Sequence, residues 1–214
     1  MVKTGNIMVI GDSYSTFENY IPNGYAAWYF GYQVEYTDVD KVEQTWWYAL
    51  AQETGGNILL NNSWSGSTVG NTGYDGVDAT CSSFITRFDE LAEKGFFQEN
   101  TVDTLFIFGG TNDSWAGAPI GEVQYGAWEK QDLFRVLPAF CYLLHRAKTV
   151  TPNTRVVVIW NTELNEELGN GFKTACAYYG VEIVVLENIG KTNGHPNMEG
   201  MRQIKEQILR AMEK

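Results

Sequence analysis

The segment Gly11-Asp12-Ser13-Tyr14-Ser15 sets a serine directly after a short apolar run, and Gly194-His195-Pro196-Asn197 sets a histidine just before the last helical stretch. A serine hydroxyl becomes a nucleophile only with a base in hydrogen-bond reach and with donors aimed at the oxyanion that attack creates. There are two histidines. His145 falls in an apolar helical segment near Arg146 and Lys148 and reads as a surface or boundary residue, which leaves His195 as the base with loop placement. Two further segments offer donors: Asn61-Asn62-Ser63-Trp64-Ser65-Gly66-Ser67 and Gly109-Gly110-Thr111-Asn112-Asp113. Gly66 can bring a backbone N–H close to a substrate, and Asn112 can point a side-chain amide at it. Taken singly, Ser13 reads equally well as a helix N-cap and the other segments as turns. Asp12 and Asp113, beside tight turns, suit the acceptance of backbone N–H bonds better than a reaction.

These segments need a frame. Five runs rich in β-branched residues, Ile7 to Ile10, Ile58 to Leu60, Thr104 to Phe108, Val156 to Trp160 and Val181 to Leu186, are apolar throughout rather than alternating, as strands buried on both faces are. Helical patterns lie between or after them: Gln44 to Gln52, Ser82 to Lys94, Gln131 to Thr149 with a kink expected at Pro138, Asn165 to Tyr179 and Met198 to Met212. The alternation predicts an α/β domain over residues 1–214 with a five-stranded parallel sheet covered on both sides. Ligands of such sheets bind beyond the carboxyl ends of the strands, where the four polar segments fall. Three long irregular stretches, Tyr14 to Thr45, Ser63 to Gly76 and Ser114 to Trp128, read as functional loops.

Taken together, Gly11-Asp12-Ser13, Gly66, Gly110-Thr111-Asn112-Asp113 and His195-Pro196 resemble, in order, the four sequence blocks of the GDSL/SGNH hydrolase family. The resemblance spans residues 11 to 196. It implies a flavodoxin-like three-layer α/β/α sandwich, with Ser13 attacking an ester carbonyl and His195 as base and then acid. It also implies an oxyanion hole from the Ser13 N–H, the Gly66 N–H and the Asn112 side chain.

One position departs from the family pattern. The last block is usually DxxH, its Asp orienting the His, but Thr192 stands three residues before His195. Three readings follow: a backbone carbonyl near Thr192 fixes the tautomer and gives a Ser-His dyad; a carboxylate from elsewhere, such as Glu163 or Glu187, substitutes; or the protein is a weak or lapsed enzyme that binds carbohydrate. The first is preferred, because neutral imidazole needs only an acceptor at its Nδ1–H.

Composition narrows the partners. A formal net charge of -11 repels phosphate backbones and excludes nucleic acid as an expected partner. No run approaches 18 apolar residues, so no membrane span is expected, and with no signal peptide in the sequence the expected compartment is the cytoplasm unless a leader has been trimmed. Cys81, Cys141 and Cys176 are an odd count without metal-ligand spacing and read as buried free thiols. No metal and no organic cofactor is expected. Seven Trp and twelve Tyr, many in the irregular stretches, suit a groove for a small-molecule or glycan ester; Tyr14, Trp28, Trp64 and Trp115 are the candidate substrate contacts. Deacetylation of an acylated carbohydrate is the expected reaction, with a lipid acylhydrolase or thioesterase as the alternative.

Overall fold

The computed structural model describes residues 2–213; Met1 and Lys214, the ends of the expected domain, lie outside them. Five strands, β1 (Asn6–Gly11), β2 (Asn57–Ser63), β3 (Thr104–Phe108), β4 (Arg155–Trp160) and β5 (Glu182–Val185), form one sheet in the order β2-β1-β3-β4-β5. Every pairing is parallel. This is the flavodoxin-like order, whose topological switch point lies between β1 and β3. Ser13 follows β1, so the connectivity alone sets it at the crevice.

Continuous apolarity along the strands has the expected cause. Successive side chains leave a strand on opposite faces. Met8 and Ile10 of β1 and Leu105 and Ile107 of β3 join one buried cluster, while Ile7, Val9, Phe106 and Phe108 join the other. The first is closed by α2 (Phe84–Glu93), α5 (Val136–Val150) and α6 (Glu166–Tyr179); the second by α1 (Trp46–Thr54) and α7 (Met198–Met212). The result is a three-layer α/β/α sandwich, as the resemblance implied. Helix ends follow local chemistry: Ser83, Asn165 and Asn197 cap α2, α6 and α7 by accepting from Thr86, Leu168 and Gly200 N–H groups.

Four expectations need correction. Pro138 does not kink a helix running from Gln131. A 3-10 turn, Lys130–Phe134, ends at Arg135, and α5 begins at Val136, so Pro138 sits in its first turn, where a missing N–H costs no bond. The stretch after Asp113 is not wholly irregular, since Thr111–Trp115 form a short helix (α4), and the four-residue helix Phe96–Glu99 (α3) is a further element not foreseen. Lys191–Thr192 and His195–Pro196 pair as a small antiparallel hairpin where only a loop was expected. Cys81 is exposed in a turn, whereas Cys141 and Cys176 are buried; all three thiols are free. Among the described residues no helix is long and apolar enough to cross a membrane, and no group of three or more His, Cys, Asp or Glu could hold a metal ion.

Candidate active site

Asp12 is extended, and its carboxylate accepts the Tyr14 N–H, closing a 3-10 turn over Ser13–Ser15 that turns the chain sharply off β1. Ser13 Oγ then lies 2.9 Å from His195 Nε2. The His195 ring comes from the hairpin Lys191–Pro196, whose two-residue turn is Asn193-Gly194. Both have positive φ, 50° and 76°, as a type I′ turn requires and as Asn-Gly readily adopts. The turn directs the Asn193 carbonyl at His195 Nδ1, 3.2 Å away. A carbonyl only accepts, so Nδ1 carries the proton and Nε2 is left to accept from Ser13.

The acceptor behind the His195 ring is therefore the backbone of Asn193 and not a carboxylate. Thr192 is exposed and its hydroxyl faces Asn197 at 3.5 Å. Glu163 pairs with Lys191, and Glu187 contacts Gln207 through its backbone. Neither approaches His195 within hydrogen-bond reach. Burial holds the His195 pKa below its ordinary 6.5, with Lys191 acting in the same direction and the Asn193 carbonyl opposing.

The long loop before α1 pins this hairpin. Tyr14 Oη donates to the Gly194 carbonyl and Tyr29 Oη to the Pro196 carbonyl, 2.8 Å away. Asn193 donates to the Tyr36 carbonyl, and Asp38 accepts the Met198 N–H at the start of α7. Trp28 lies flat on the His195 ring, with centroids 3.6 Å apart and 9° between planes. Of the four candidate substrate contacts, Tyr14 is corrected: it is fully buried and spent on the turn. Trp28 faces the base, and Trp64 stacks on Tyr25 at 4.1 Å. Trp115 is 43% exposed and forms a T-shaped pair with His195, centroids 5.9 Å apart.

Gly66 has φ of 82°, and among the described residues neither its N–H nor that of Ser13 meets an acceptor. Asn112, on the helix Thr111–Trp115, donates one amide hydrogen to the Ser67 carbonyl at 2.9 Å, while its Oδ1 accepts from Tyr74 Oη at 2.8 Å. These two bonds fix the amide orientation and leave one N–H unused. Asp113 accepts the Val69 and Gly70 N–H groups and so holds the segment after Gly66. Burial raises the carboxyl pKa of Asp12 to about 7 and of Asp113 to about 6.

The family model described as GDSL-like lipase/acylhydrolase matches residues 5–212. The chain belongs to the GDSL-like lipase/acylhydrolase family. It is similar to a GDSL-like lipase from Bacteroides ovatus ATCC 8483, with 40% identity, a TM-score of 0.92 and coverage of 100% of this chain and 99% of that one. It is likewise similar to a GDSL-like lipase from Bacteroides uniformis ATCC 8492, at 44% identity, TM-score 0.90 and coverage of 97% and 95%. An acetyl xylan esterase from the rumen bacterium Butyrivibrio proteoclasticus shares the fold, at 15% identity, TM-score 0.62 and coverage of 98% of this chain and 63% of that one. No curated protein matches in a sequence comparison.

As a GDSL-like esterase, the protein carries site features that the sequence blocks do not mark. Tyr74, which orients Asn112, lies in an irregular stretch without a spacing signal. Arg87 is buried in α2 and reaches the ends of two strands: it donates to the Gly11 carbonyl, the Asn62 carbonyl and side chain, the Ser82 carbonyl and Ser67 Oγ. The hairpin had a signal, the Asn193-Gly194 dipeptide.

Proposed function

We propose that this GDSL-like esterase cleaves carboxylic esters through an acyl-enzyme on Ser13, with His195 oriented by a backbone carbonyl, and that its substrate is a small acyl ester of a carbohydrate. The observation that carries the reading is the line from the Asn193 carbonyl through His195 to Ser13 Oγ. In acylation the Ser13 proton passes to His195 Nε2 as Oγ bonds to the carbonyl carbon, and the carbonyl electron pair moves onto oxygen. That oxyanion takes hydrogen bonds from the Ser13 N–H, the Gly66 N–H and the unused Asn112 N–H. Collapse breaks the bond to the alkoxy oxygen, which leaves with the Nε2 proton. Water, deprotonated by the same imidazole, then repeats the attack on the acyl-enzyme and frees the acid and Ser13.

Two observations support a small acyl group on a sugar. Ser13 is 2% and His195 7% exposed, which leaves little open surface at the reacting atoms for a long chain. Trp115 and Tyr74, at the edges of His195 and Asn112, are both exposed rings, a surface suited to a sugar face. The kcat/KM for p-nitrophenyl acetate is expected to exceed that for p-nitrophenyl decanoate by more than roughly tenfold, since a methylene without room costs at least that factor. Equal or faster cleavage of the decanoate would refute the small-acyl assignment.

A further inference from the structure

The missing carboxylate leaves two tasks undone. One is to orient the imidazole, and the Asn193 carbonyl does this at one atom. The other is to stabilise the imidazolium that forms when Ser13 attacks, for which a neutral carbonyl is a weaker partner than an ionised acid. The charged and titratable groups facing His195 do not supply the second. Lys191, on the preceding strand of the hairpin, is a cation engaged with Glu163 and opposes a second positive charge. Tyr14 is tied to the Gly194 carbonyl, and Ser13 is the proton donor itself.

Resting on the Ser13–His195 reading, we propose that Trp28 is the positioning residue that takes over from the absent carboxylate: its indole face holds the imidazole plane and stabilises the imidazolium. Three observations carry this. The rings are parallel and in van der Waals contact, at 3.6 Å and 9°, the geometry in which a flat cation lies over the negative face of a π system. Trp28 is itself locked, with its N–H bonded to Thr16 Oγ1 at 2.9 Å, its carbonyl accepting from Tyr36 Oη and the Tyr36 ring packed 5.0 Å away. Its Nε1 is buried without a partner, so hydrogen bonding by the indole does not account for where the ring is held. Tryptophan has the strongest quadrupole of the aromatic side chains, and with His195 7% exposed under a half-buried Trp28 most of the water is kept from the contact, which strengthens cation–π attraction.

The test replaces Trp28 by mono-, di- and trifluorinated tryptophan through site-specific incorporation, which weakens the π face while nearly preserving shape. Across the series kcat on p-nitrophenyl acetate should fall progressively, on the order of tenfold in total. KM should stay constant, and the acidic limb of kcat/KM against pH should move to lower pH, because the imidazolium is then less stable. Trp28→Leu, which fills space without a π face, should extend the same trend. A flat series in kcat and in the acidic limb would overturn the proposal, as would Trp28→Leu matching wild type. Fluorophosphonate labelling of Ser13 in each variant separates the two readings: labelling with a flat series removes the role of Trp28 alone, whereas absence of labelling in wild type removes the serine mechanism on which it rests.

Discussion

Ser13→Ala is expected to lower kcat for p-nitrophenyl acetate by on the order of 10³ to 10⁵, with little change in KM. Removing the serine from a full triad in another enzyme costs about 10⁶, and removing only its acid costs between 10⁴ and 10⁵, so a site that starts without the acid has less to lose. The residual rate would be that of water attack assisted by the donors around Gly66 and Asn112. The substitution removes one hydroxyl whose only described side-chain partner is His195 Nε2, so thermal stability should hardly change. A variant retaining activity within tenfold of wild type would contradict the assignment of Ser13.

The second large effect is on stability. Arg87→Met is expected to destabilise the fold by roughly 3–5 kcal/mol, measured as the shift in urea midpoint at constant m-value. Arg87 is 1% exposed and, among the described residues, has no salt-bridge partner, so its removal also relieves the cost of burying a charge. That relief is outweighed. Met removes this donor from four acceptors; the Gly11 carbonyl keeps the Trp64 N–H and Ser67 Oγ keeps its own bond to the Trp64 carbonyl, so the loss falls mainly on the Asn62 and Ser82 carbonyls, at about 1–3 kcal/mol for each left unsatisfied. Because Gly11 precedes Ser13 by two residues and Ser67 follows Gly66, the loss would also loosen both sides of the proposed oxyanion site. A midpoint within about 1 kcal/mol of wild type would show that these carbonyls find other donors or water.

The strands were legible because burial on both faces leaves a continuous apolar signature, and the four polar segments were legible because they interrupt it. Legibility failed where a role depends on contacts between distant segments. Arg87 lies three residues after Phe84 on an amphipathic helix and so shares its buried face. The phase of the helix held that information, but the acceptors did not lie in the same stretch of chain. Tyr14 and Trp28 sit among aromatics that suit a groove, and sequence gives no means to tell a ring that meets substrate from one that meets His195. The acceptor behind His195 was narrowed to a carbonyl near Thr192, whereas the atom is the carbonyl of Asn193. The Asn193-Gly194 pair is a strong type I′ signal, and reading it would have put a hairpin, and that carbonyl, directly behind the base.

On the proposed mechanism, Ser13 is activated by a buried, neutral His195 held by a main-chain carbonyl. The most direct measurement is the rate at which a fluorophosphonate modifies the protein as a function of pH, with the adduct located by peptide mass spectrometry. Imidazole accepts the Ser13 proton only when neutral, and its pKa lies below 6.5, so the rate should rise through a pKa below that value and stay level from there through neutral pH. The adduct should sit on Ser13. Modification elsewhere, no modification at neutral pH, or a rate still climbing well above pH 6.5 would contradict the account.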